Sequence, residues 1–486
     1  MRLLRGARRV LLENWTGTST VPSRGLYPHQ WSWDSAFIAI GLRHLSVRRA
    51  QRELETLLAA QWGDGRIPHI VFNPAVPLDA YFPSPDFWRS SSAGAALGAP
   101  SGIETSGIVQ PPVHALACRL VHLTDPRASA RRGFLARMYP RLAAWHRYLA
   151  ESRDLGGHGL VSVVHPWEPG MDNSPCWDAP LARVEPASPG TFRRADLDHG
   201  AAADRPTDLD YGRYVRLAAD YRDRGYRDDG PTAAKAPAFA VEDPGVNALL
   251  IASEHALAEI AAVIGADPAP HRAQARRLTA ALVERLWDPA AGLFLCRDLR
   301  GGADVGSGAD IPGGTNAGGT NVGGANAGGA NAGGALIPEL SAAGLLPLIV
   351  PDLPREIAAA LIRTASGPHF GLGTSVRLVP SYDLLGHAFD PYRYWRGPAW
   401  FNVNWLMERG LRQHGAVDRA DALRSTALDV AVSSGFAEYV DPYTGEARGT
   451  RDFGWTAALA LDLLVTSGEA DADLVASERE MATEAD

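Results

Sequence analysis

The strongest constraint on the fold is the recurrence of apolar residues at helical spacing, separated by loops of very unequal length. Strand patterns are few and short, for example at 292–297. Simple up-and-down bundles have short connections, so the unequal loops favour a larger helical array in which the loops carry the function. The predicted helices, several opened by a capping residue or an early proline, are 46–61, 108–123, 132–151, 243–264, 271–287, 355–364, 398–413, 418–434 and 455–466.

One segment differs from the rest in composition. Residues 313–335 repeat Gly, Asn and small residues without a charge or an aromatic ring, so they cannot bury a core. Candidate functional residues lie on both sides of this repeat. We therefore predict a single domain over 1–466 with a Gly/Asn-rich insert at about 301–335. It is followed by an acidic tail at 467–486, in which seven carboxylates face one arginine.

Charge and motif content exclude several classes of function. A net charge of −8 argues against nucleic-acid binding and suits sugars or small acids as partners. The 14 histidines form no metal motif, and no P-loop or nucleophile elbow is present, so no metal or cofactor is expected. The three scattered cysteines predict reduced thiols. Without a signal peptide or membrane-length apolar run, the expected location is the cytoplasm; a homo-oligomer remains open.

An aromatic and acidic cluster at 27–37 leads into a predicted helix. Tyr27, Trp31 and Asp34 combine rings that stack on sugar C–H faces with a carboxylate that accepts sugar hydroxyl hydrogens. The competing interpretation is an aromatic corner of the core with Asp34 capping the helix.

A polar loop at 165–178 places three carboxylates among tryptophans. A carboxyl group in a partly dry, aromatic pocket has a raised pKa, as a general acid requires. Either Asp172 or Glu168 could fill this role. The alternative is a structural turn at Asp172 and Asn173.

Two further clusters lie near the end of the chain. In the first, Tyr394, Trp395 and Trp400 surround a Gly-Pro junction in which Pro398 suits the first position of a helix. In the second, Glu438 precedes an Asp-Pro-Tyr-Thr-Gly turn, which would leave it projecting from a helix end. Buried aromatics and surface carboxylates are the alternatives.

Four motifs, in their order and spacing, resemble glycoside hydrolase family 63: WDSAF at 33–37, EPGMDNSP at 168–175, YWRGP at 394–398 and FAEYVDPYTGE at 436–446. The resemblance covers about 14–464. It implies an all-α (α/α)6 toroid and a metal-independent, inverting glycosidase, with Asp172 as general acid and Glu438 as general base. The compact size and the lead-in at 165–168 look like the bacterial mannosylglycerate and glucosylglycerate hydrolases.

The resemblance also implies the residues that bind substrate. A segment at 205–211 is similar to a lid on which Arg205 and Tyr211 hold a glycerate carboxylate, although Arg205 could be a solvated surface charge. Pro169 replaces the small residue expected in the acid motif, and the Gly/Asn repeat is foreign to the family pattern. The implied sugar subsite comprises Tyr27, Trp31, Asp34, Gln110, Trp167, Tyr394, Trp395 and Trp400.

These inferences together predict hydrolysis of an α-glycoside of D-glycerate. One alternative is an α-glucosidase or trehalase-like enzyme for neutral substrates on the same fold. A second, of a different class, is a sugar-binding or isomerising toroid without a hydrolytic pair.

Overall fold

The chain forms a ring of helical hairpins in a computed structural model, which describes residues 2–199, 202–228, 237–301 and 334–466. Within these residues the longer helices are α1 (Arg2–Glu13), α2 (Ser32–Leu42), α3 (Val47–Ala59), α4 (His114–Thr124), α5 (Phe134–Ser152), α6 (Asp208–Asp223), α7 (Pro244–Ile264), α8 (Ala269–Leu286), α9 (Arg355–Ser366), α10 (Phe401–Gln413), α11 (Val417–Ser433) and α12 (Gly454–Thr466). Shorter α-helical turns are Pro85–Trp88, Ser90–Ala93, Pro126–Arg131 and Asp178–Ala182.

An inner ring closes through contacts between neighbouring helices. Helix α2 contacts α4, α4 contacts α7, and α10 contacts α12, which returns to α2. Between α7 and α10 the ring is completed by two 3-10 turns, Ala342–Gly344 and Leu346–Ile349. Of the inner helices, α2 and α12 are apolar on every face, as burial on every face requires; every residue of α2 is buried.

An outer layer surrounds this ring. Five outer helices pack against inner helices: α1, α3, α5, α8 and α11. Helix α9 contacts the short strand Leu293–Phe294. The outer helix α1 shows the expected amphipathic pattern, with Leu4, Val10 and Leu11 buried and its arginines turned largely outward. The arrangement confirms the predicted (α/α)6 toroid, in which α6 is an addition outside the two layers.

Short strands tie the loops together at one end of the ring. Each strand has two residues: β1 (Gln30–Trp31), β2 (Ile70–Val71), β3 (Ser162–Val163), β4 (Val241–Glu242), β5 (Trp287–Asp288), β6 (Leu293–Phe294), β7 (Arg297–Asp298), β8 (Ala335–Leu336), β9 (Ala399–Trp400), β10 (Tyr439–Val440) and β11 (Ala447–Arg448). The antiparallel sheets are ordered β1-β2, β3-β4-β7-β8, β5-β6 and β11-β10-β9.

Several predicted boundaries were wrong. The helix predicted at 108–123 begins only at His114, because the preceding Pro111 and Pro112 lie in non-helical chain. The helix predicted to start at Pro398 begins at Phe401, since β9 intervenes. Asp34 does not cap α2: Trp31 occupies that position, and Asp34 lies in the first turn. The patterns of α1 and α6 were not recognised as helices.

Two predicted segments lie outside the described residues. They are the acidic tail at 467–486 and, apart from its ends at 301 and 334–335, the Gly/Asn-rich insert. The division of the chain into one domain with these appendages stays a prediction.

Candidate active site

A cavity of about 70 Å³ opens where the inner helices begin. We call it the inner cavity. Its walls include the first turns of α2 and α12 and the residues immediately before α4 and α10. The residues predicted from the sequence that line this cavity are Tyr27, Trp31, Asp34, Gln110, Trp167, Asp172, Tyr394, Trp395, Trp400 and Glu438. Ten of the twelve residues singled out from the sequence therefore meet in one space.

Stacked tryptophans form one wall of the inner cavity. The rings of Trp395 and Trp400 lie parallel at 3.9 Å between centroids. Trp400 ends β9 and precedes α10, while Tyr394 adopts a left-handed φ of 40°, a strained conformation that the surrounding contacts must hold. Asn173 accepts the backbone N–H of Trp395 at 2.9 Å. The loop at 165–178 and the aromatic segment are thus fastened to each other.

The loop that carries Asp172 is fixed from behind by Glu168. Both oxygens of this buried carboxylate bind Arg153, at 2.7 and 2.8 Å, and they also accept the backbone N–H groups of Val109 and Val164. Glu168 is therefore committed to holding the loop and does not line the cavity. Of the two carboxyls that the sequence left open as the acid, only Asp172 reaches the cavity.

Burial is the largest influence on the pKa of Asp172 and raises it to about 8. This value already includes the negative charge of Glu438, which raises the pKa, and the Arg205 guanidinium, which lowers it. Backbone geometry holds the group in place: the Tyr214 hydroxyl donates to the Asp172 carbonyl at 3.0 Å. A carboxyl with this pKa keeps its proton near neutral pH and can donate it in a reaction.

Glu438 lies on the segment between α11 and β10, not at a helix end as the sequence suggested. The Tyr27 hydroxyl donates to its Oε1 at 2.8 Å, and the Thr450 N–H donates to Oε2 at 3.2 Å. Burial raises the pKa of Glu438, while Arg205 and the Tyr27 hydrogen bond oppose that rise. These two partners favour the ionised carboxylate, the form that a general base needs.

Other polar groups face the same space. Asp34 is 4% exposed, and its pKa is raised well above the usual value, first by burial and then by Glu438 and Asp172. Gln110 accepts the Trp33 N–H through its Oε1 at 3.1 Å. Such side chains can bind sugar hydroxyls as donors or acceptors.

A second cavity of about 50 Å³ adjoins the first, and we call it the outer cavity. The two share the side chains of Tyr27, Tyr81, Trp167, Asp172 and Tyr394. Asp172 therefore lies at their junction. The remaining two predicted site residues, Arg205 and Tyr211, line the outer cavity.

Arg205 is buried rather than solvated, with 4% of its surface exposed. Its guanidinium donates to the Tyr27 hydroxyl at 3.3 Å and lies over the Tyr394 ring, 5.0 Å from the centroid. Nη2 lies 3.9 Å from Glu438 and has no hydrogen-bond acceptor in the part of the chain that the structure describes. The surface-charge interpretation was wrong, and the outer cavity presents a cation with donor capacity to spare.

Comparison with known proteins agrees with this geometry. The family model of the mannosylglycerate hydrolase MGH1-like glycoside hydrolase domain matches residues 27–456. This chain belongs to that family, within glycoside hydrolase family 63. It is 40% identical to the mannosylglycerate hydrolase of Rubrobacter radiotolerans, covering 95% of this chain and 97% of that protein. It is 38% identical to the glucosylglycerate hydrolase of Mycolicibacterium hassiacum, covering 94% and 96%.

Crystal structures of the family 63 mannosylglycerate hydrolase from Thermus thermophilus are also similar. The complex with Tris superposes with a TM-score of 0.80 at 36% identity, covering 95% of this chain and 99% of that one. Complexes of that enzyme with Tris and D-glycerate and with glucose give TM-scores of 0.79 and 0.77. These findings show that the family 63 chain described here is a glycoside hydrolase with the toroidal fold.

The family 63 site contains residues that the sequence did not single out. Tyr81 lines both cavities, His69 and Trp455 line the inner one, and Asp196 lines the outer one. Tyr81 lies in an irregular segment and Asp196 in the short 3-10 turn Ala195–His199, and neither has a detectable period, so nothing local marked them. Trp455 stood beside the Glu438 motif, and its position among other aromatics was the available signal.

Metal-binding groups and membrane-length helices were sought among the residues that the structure describes. Among them, no three His, Cys, Asp or Glu side chains are grouped closely enough to hold a metal ion. The cysteines Cys118, Cys176 and Cys296 are buried free thiols. Helix α7 has the length and apolar composition of a membrane span, but 72% of its apolar window is buried.

Proposed function

We propose that this enzyme hydrolyses the α-glycosidic bond of glucosylglycerate, mannosylglycerate or both, with inversion at the anomeric carbon. The hexose would occupy the inner cavity and the glycerate the outer cavity, so that the scissile bond meets Asp172 at their junction. The single observation that carries the aglycone assignment is the buried Arg205, which lines the outer cavity and whose Nη2 has no hydrogen-bond acceptor among the described residues.

In the proposed mechanism, Asp172 donates its proton to the glycosidic oxygen as the bond to the anomeric carbon breaks. Glu438 takes a proton from a water molecule, whose oxygen attacks the anomeric carbon from the opposite ring face. D-glycerate and the β-hexose leave, and exchange with solvent returns the proton to Asp172 and removes one from Glu438. Room for the water requires the two carboxyl groups to be about 6.5–9.5 Å apart.

Electrostatics support the assignment of these roles. The pKa of Asp172, about 8, keeps the acid protonated at neutral pH. Arg205 and Tyr27 stabilise the ionised form of Glu438. Interchanged roles would require the group with two donors near its carboxylate to hold the proton, which is the less favourable arrangement.

Arg205 also discriminates between the proposed activity and a neutral-substrate enzyme. Burying a guanidinium costs free energy unless an anion or acceptors compensate. The glycerate carboxylate supplies such an anion and can accept two N–H groups in parallel. A trehalase-like or α-glucosidase activity would leave this donor capacity unused. A non-hydrolytic sugar-binding toroid would not need an acid of raised pKa beside an activated base.

The deciding experiment is proton NMR of the purified enzyme with glucosylglycerate and with mannosylglycerate, following the anomer first released. We expect the β-hexose to appear before mutarotation. Arg205→Gln should lower kcat/KM for the glycerate glycosides about 100-fold or more. Methyl α-glucoside, if cleaved at all, should show a smaller loss, because it loses only what Arg205 contributes through Glu438.

The matched control is Arg216→Gln, which removes an exposed arginine on α6 paired with Asp220. It should leave both rates unchanged. Release of the α-hexose would contradict inversion. Turnover of a neutral α-glucoside alone would contradict the glycerate assignment and retain the hydrolytic pair.

A further inference from the structure

A separate cavity lies at the opposite end of the toroid axis. It has a volume of about 470 Å³ and shares no residue with the inner or outer cavity. We call it the axial cavity. Its walls come from later turns of the inner helices: α7 at Ala252–Glu259, α10 from Trp405 onward and α12 at Asp462 and Leu463. The catalytic cavities instead lie where the inner helices begin.

Most charges around the axial cavity neutralise one another in pairs. Arg119 forms an ion pair with Glu259. Arg412 and Arg424 both bind Glu408, at 2.8 and 2.6 Å, and Arg412 also binds Asp421 at 2.5 Å. These pairs leave little net charge for a ligand to recognise.

The third carboxylate of the cavity is also fully engaged. Asp462 accepts from Arg43 at 2.6 Å, from Trp405 Nε1 at 2.9 Å and contacts His44 at 2.8 Å. The pKa of this carboxyl is lowered well below its usual value by these partners in spite of burial. Asp462 has little capacity left for another cation.

Arg409 is the exception among the lining arginines. Its guanidinium stacks on the Trp405 ring, 4.8 Å from the centroid. Within the described ranges, no hydrogen bond or ion pair joins it to an acceptor. Burial is the largest cause that lowers the pKa of Arg409, and the nearby positive charges of Arg43 and Arg119 add to it, against the opposing influence of Asp462 and Glu408. Two acidic and two basic side chains therefore surround Arg409, and its capacity to bind an anion rests on the N–H groups that no described acceptor engages.

We propose that the axial cavity is a binding site for a small anion bearing a phosphate or carboxylate group, held by Arg409. A guanidinium stacked on an indole ring keeps its in-plane N–H groups free to point into the cavity. These donors match the oxygens of a phosphate or carboxylate in bidentate geometry. The volume exceeds that needed for the anionic group alone and leaves space for an organic portion.

Two sources could supply this chemistry. One is a free small molecule. The other is a carboxylate of the chain itself, because Thr466 lines the cavity and the sequence 467–486 that follows carries seven carboxylates. Both present the same group to Arg409, so the experiment must separate them.

The test uses the full chain and measures Tm with inorganic phosphate added, against sodium chloride at equal ionic strength. A ligand that binds only the folded state raises Tm, and at saturation we expect a rise of about 2 °C or more. Arg409→Gln should abolish the rise, and Arg409→Lys should retain part of it because the charge remains. Arg216→Gln, on exposed α6, should respond like the wild type.

A fourth variant replaces the seven carboxylates of 467–486 by the corresponding amides. A phosphate response in the wild type supports a free anion as the occupant. A response that emerges only in the amide variant supports a carboxylate of the chain as the occupant. No response in either protein, or a response that Arg409→Gln retains, overturns the proposal, because the phosphate would then bind elsewhere.

Discussion

The two ends of the toroid are built by different rules. At the end that carries Arg409, inner helices connect to the following outer helices through 43–46, 265–268 and 414–416, each only a few residues long. At the catalytic end the outer-to-inner connections include 60–113 and 153–243. Short connections fix the order of helices around the ring, whereas long ones place side chains over its mouth. One end thus specifies the fold and the other specifies the chemistry.

Three carboxylates of the active site differ in the same way from Asp462. Asp34, Asp172 and Glu438, at the catalytic end, have raised pKa values because burial outweighs their favourable partners. Asp462, towards the other end, has a lowered pKa because Arg43, His44 and Trp405 satisfy its charge. A carboxylate whose burial is not compensated by cations or hydrogen-bond donors has a raised pKa and is available for proton transfer. A carboxylate that is well paired stabilises the fold. Substitutions at the two ends of the toroid test this contrast.

The largest effect is expected from removing the proposed acid and base. Asp172→Asn and Glu438→Gln should each lower kcat by about 10³-fold or more, because neither amide can transfer the required proton. Both variants should fold, since the amides are nearly isosteric with the carboxylates. Turnover of glucosylglycerate and mannosylglycerate provides the measurement. Near-normal kcat in either variant would remove that residue from the mechanism.

At the other end, Asp462→Asn should act on stability and leave the chemistry intact. The amide leaves Arg43 buried without its counter-charge, so the free energy of unfolding should fall by about 3 kcal/mol. Denaturant titration measures this change, and kcat per folded molecule should match the wild type. A large loss of kcat without a loss of stability would show that the two ends are not functionally separate.

A pair of glycines offers a comparison of intermediate size. A Cβ at Gly41 on α2 would lie 2.3 Å from the backbone of Ala458 on α12, so Gly41→Ala should force two inner helices apart and cost about 1–3 kcal/mol of stability. A Cβ at Gly170 would meet the Trp33 ring at 2.3 Å, and the glycine has a φ of +72°. Gly170→Ala should displace the Asp172 loop.

The two alanine variants should therefore separate in kinetics and stability. We expect Gly170→Ala to lower kcat at least about 10-fold, since small misplacements of a catalytic group are costly. Gly41→Ala should retain kcat while its Tm falls. Equal losses of kcat in both variants would argue that ring packing, not the local loop, sets the position of Asp172.

The sequence predicted the layers of this fold better than the connections. Apolar periodicity located nine helices, seven of them to within a few residues at both ends. The other two, predicted at 108–123 and 398–413, begin later because proline-containing, non-helical chain precedes each of them. Helix α1 was missed because its arginines suggested a charged terminus, although their alternation with leucines is amphipathic. The completing 3-10 turns at 342–349 have no helical period that could be detected over so few residues.

The candidate site could be predicted where a local motif marked it. All twelve residues that the resemblance implied line the inner or outer cavity. The motif could not show that Glu168 pairs with Arg153, because the partners are brought together by the folded loop. Tyr81, from an irregular segment, and Asp196, from the 3-10 turn Ala195–His199, reach the site only through tertiary structure.

The smallest predicted effect is a gain of stability at the catalytic end. In the folded protein the pKa of Asp172 is about 8, whereas the unfolded value is near 3.9. Between these values the unfolded chain has lost the proton and the folded protein still holds it. Stability contributed by this group therefore falls as pH rises from about 4 to about 8. Asp172→Asn does not titrate and escapes this loss.

Asp172→Asn should consequently be more stable than the wild type at pH 7, by at least about 1 kcal/mol, and show no such advantage at pH 4. Denaturant titrations of both proteins at the two pH values test this. The wild-type kcat should fall above about pH 8, where Asp172 ionises in the folded state. A variant less stable than the wild type at pH 7 would mean that the ionised Asp172 has a favourable partner. Asp172 would then be paired as Asp462 is at the opposite end. The contrast between the two ends would be wrong at the residue on which it depends most.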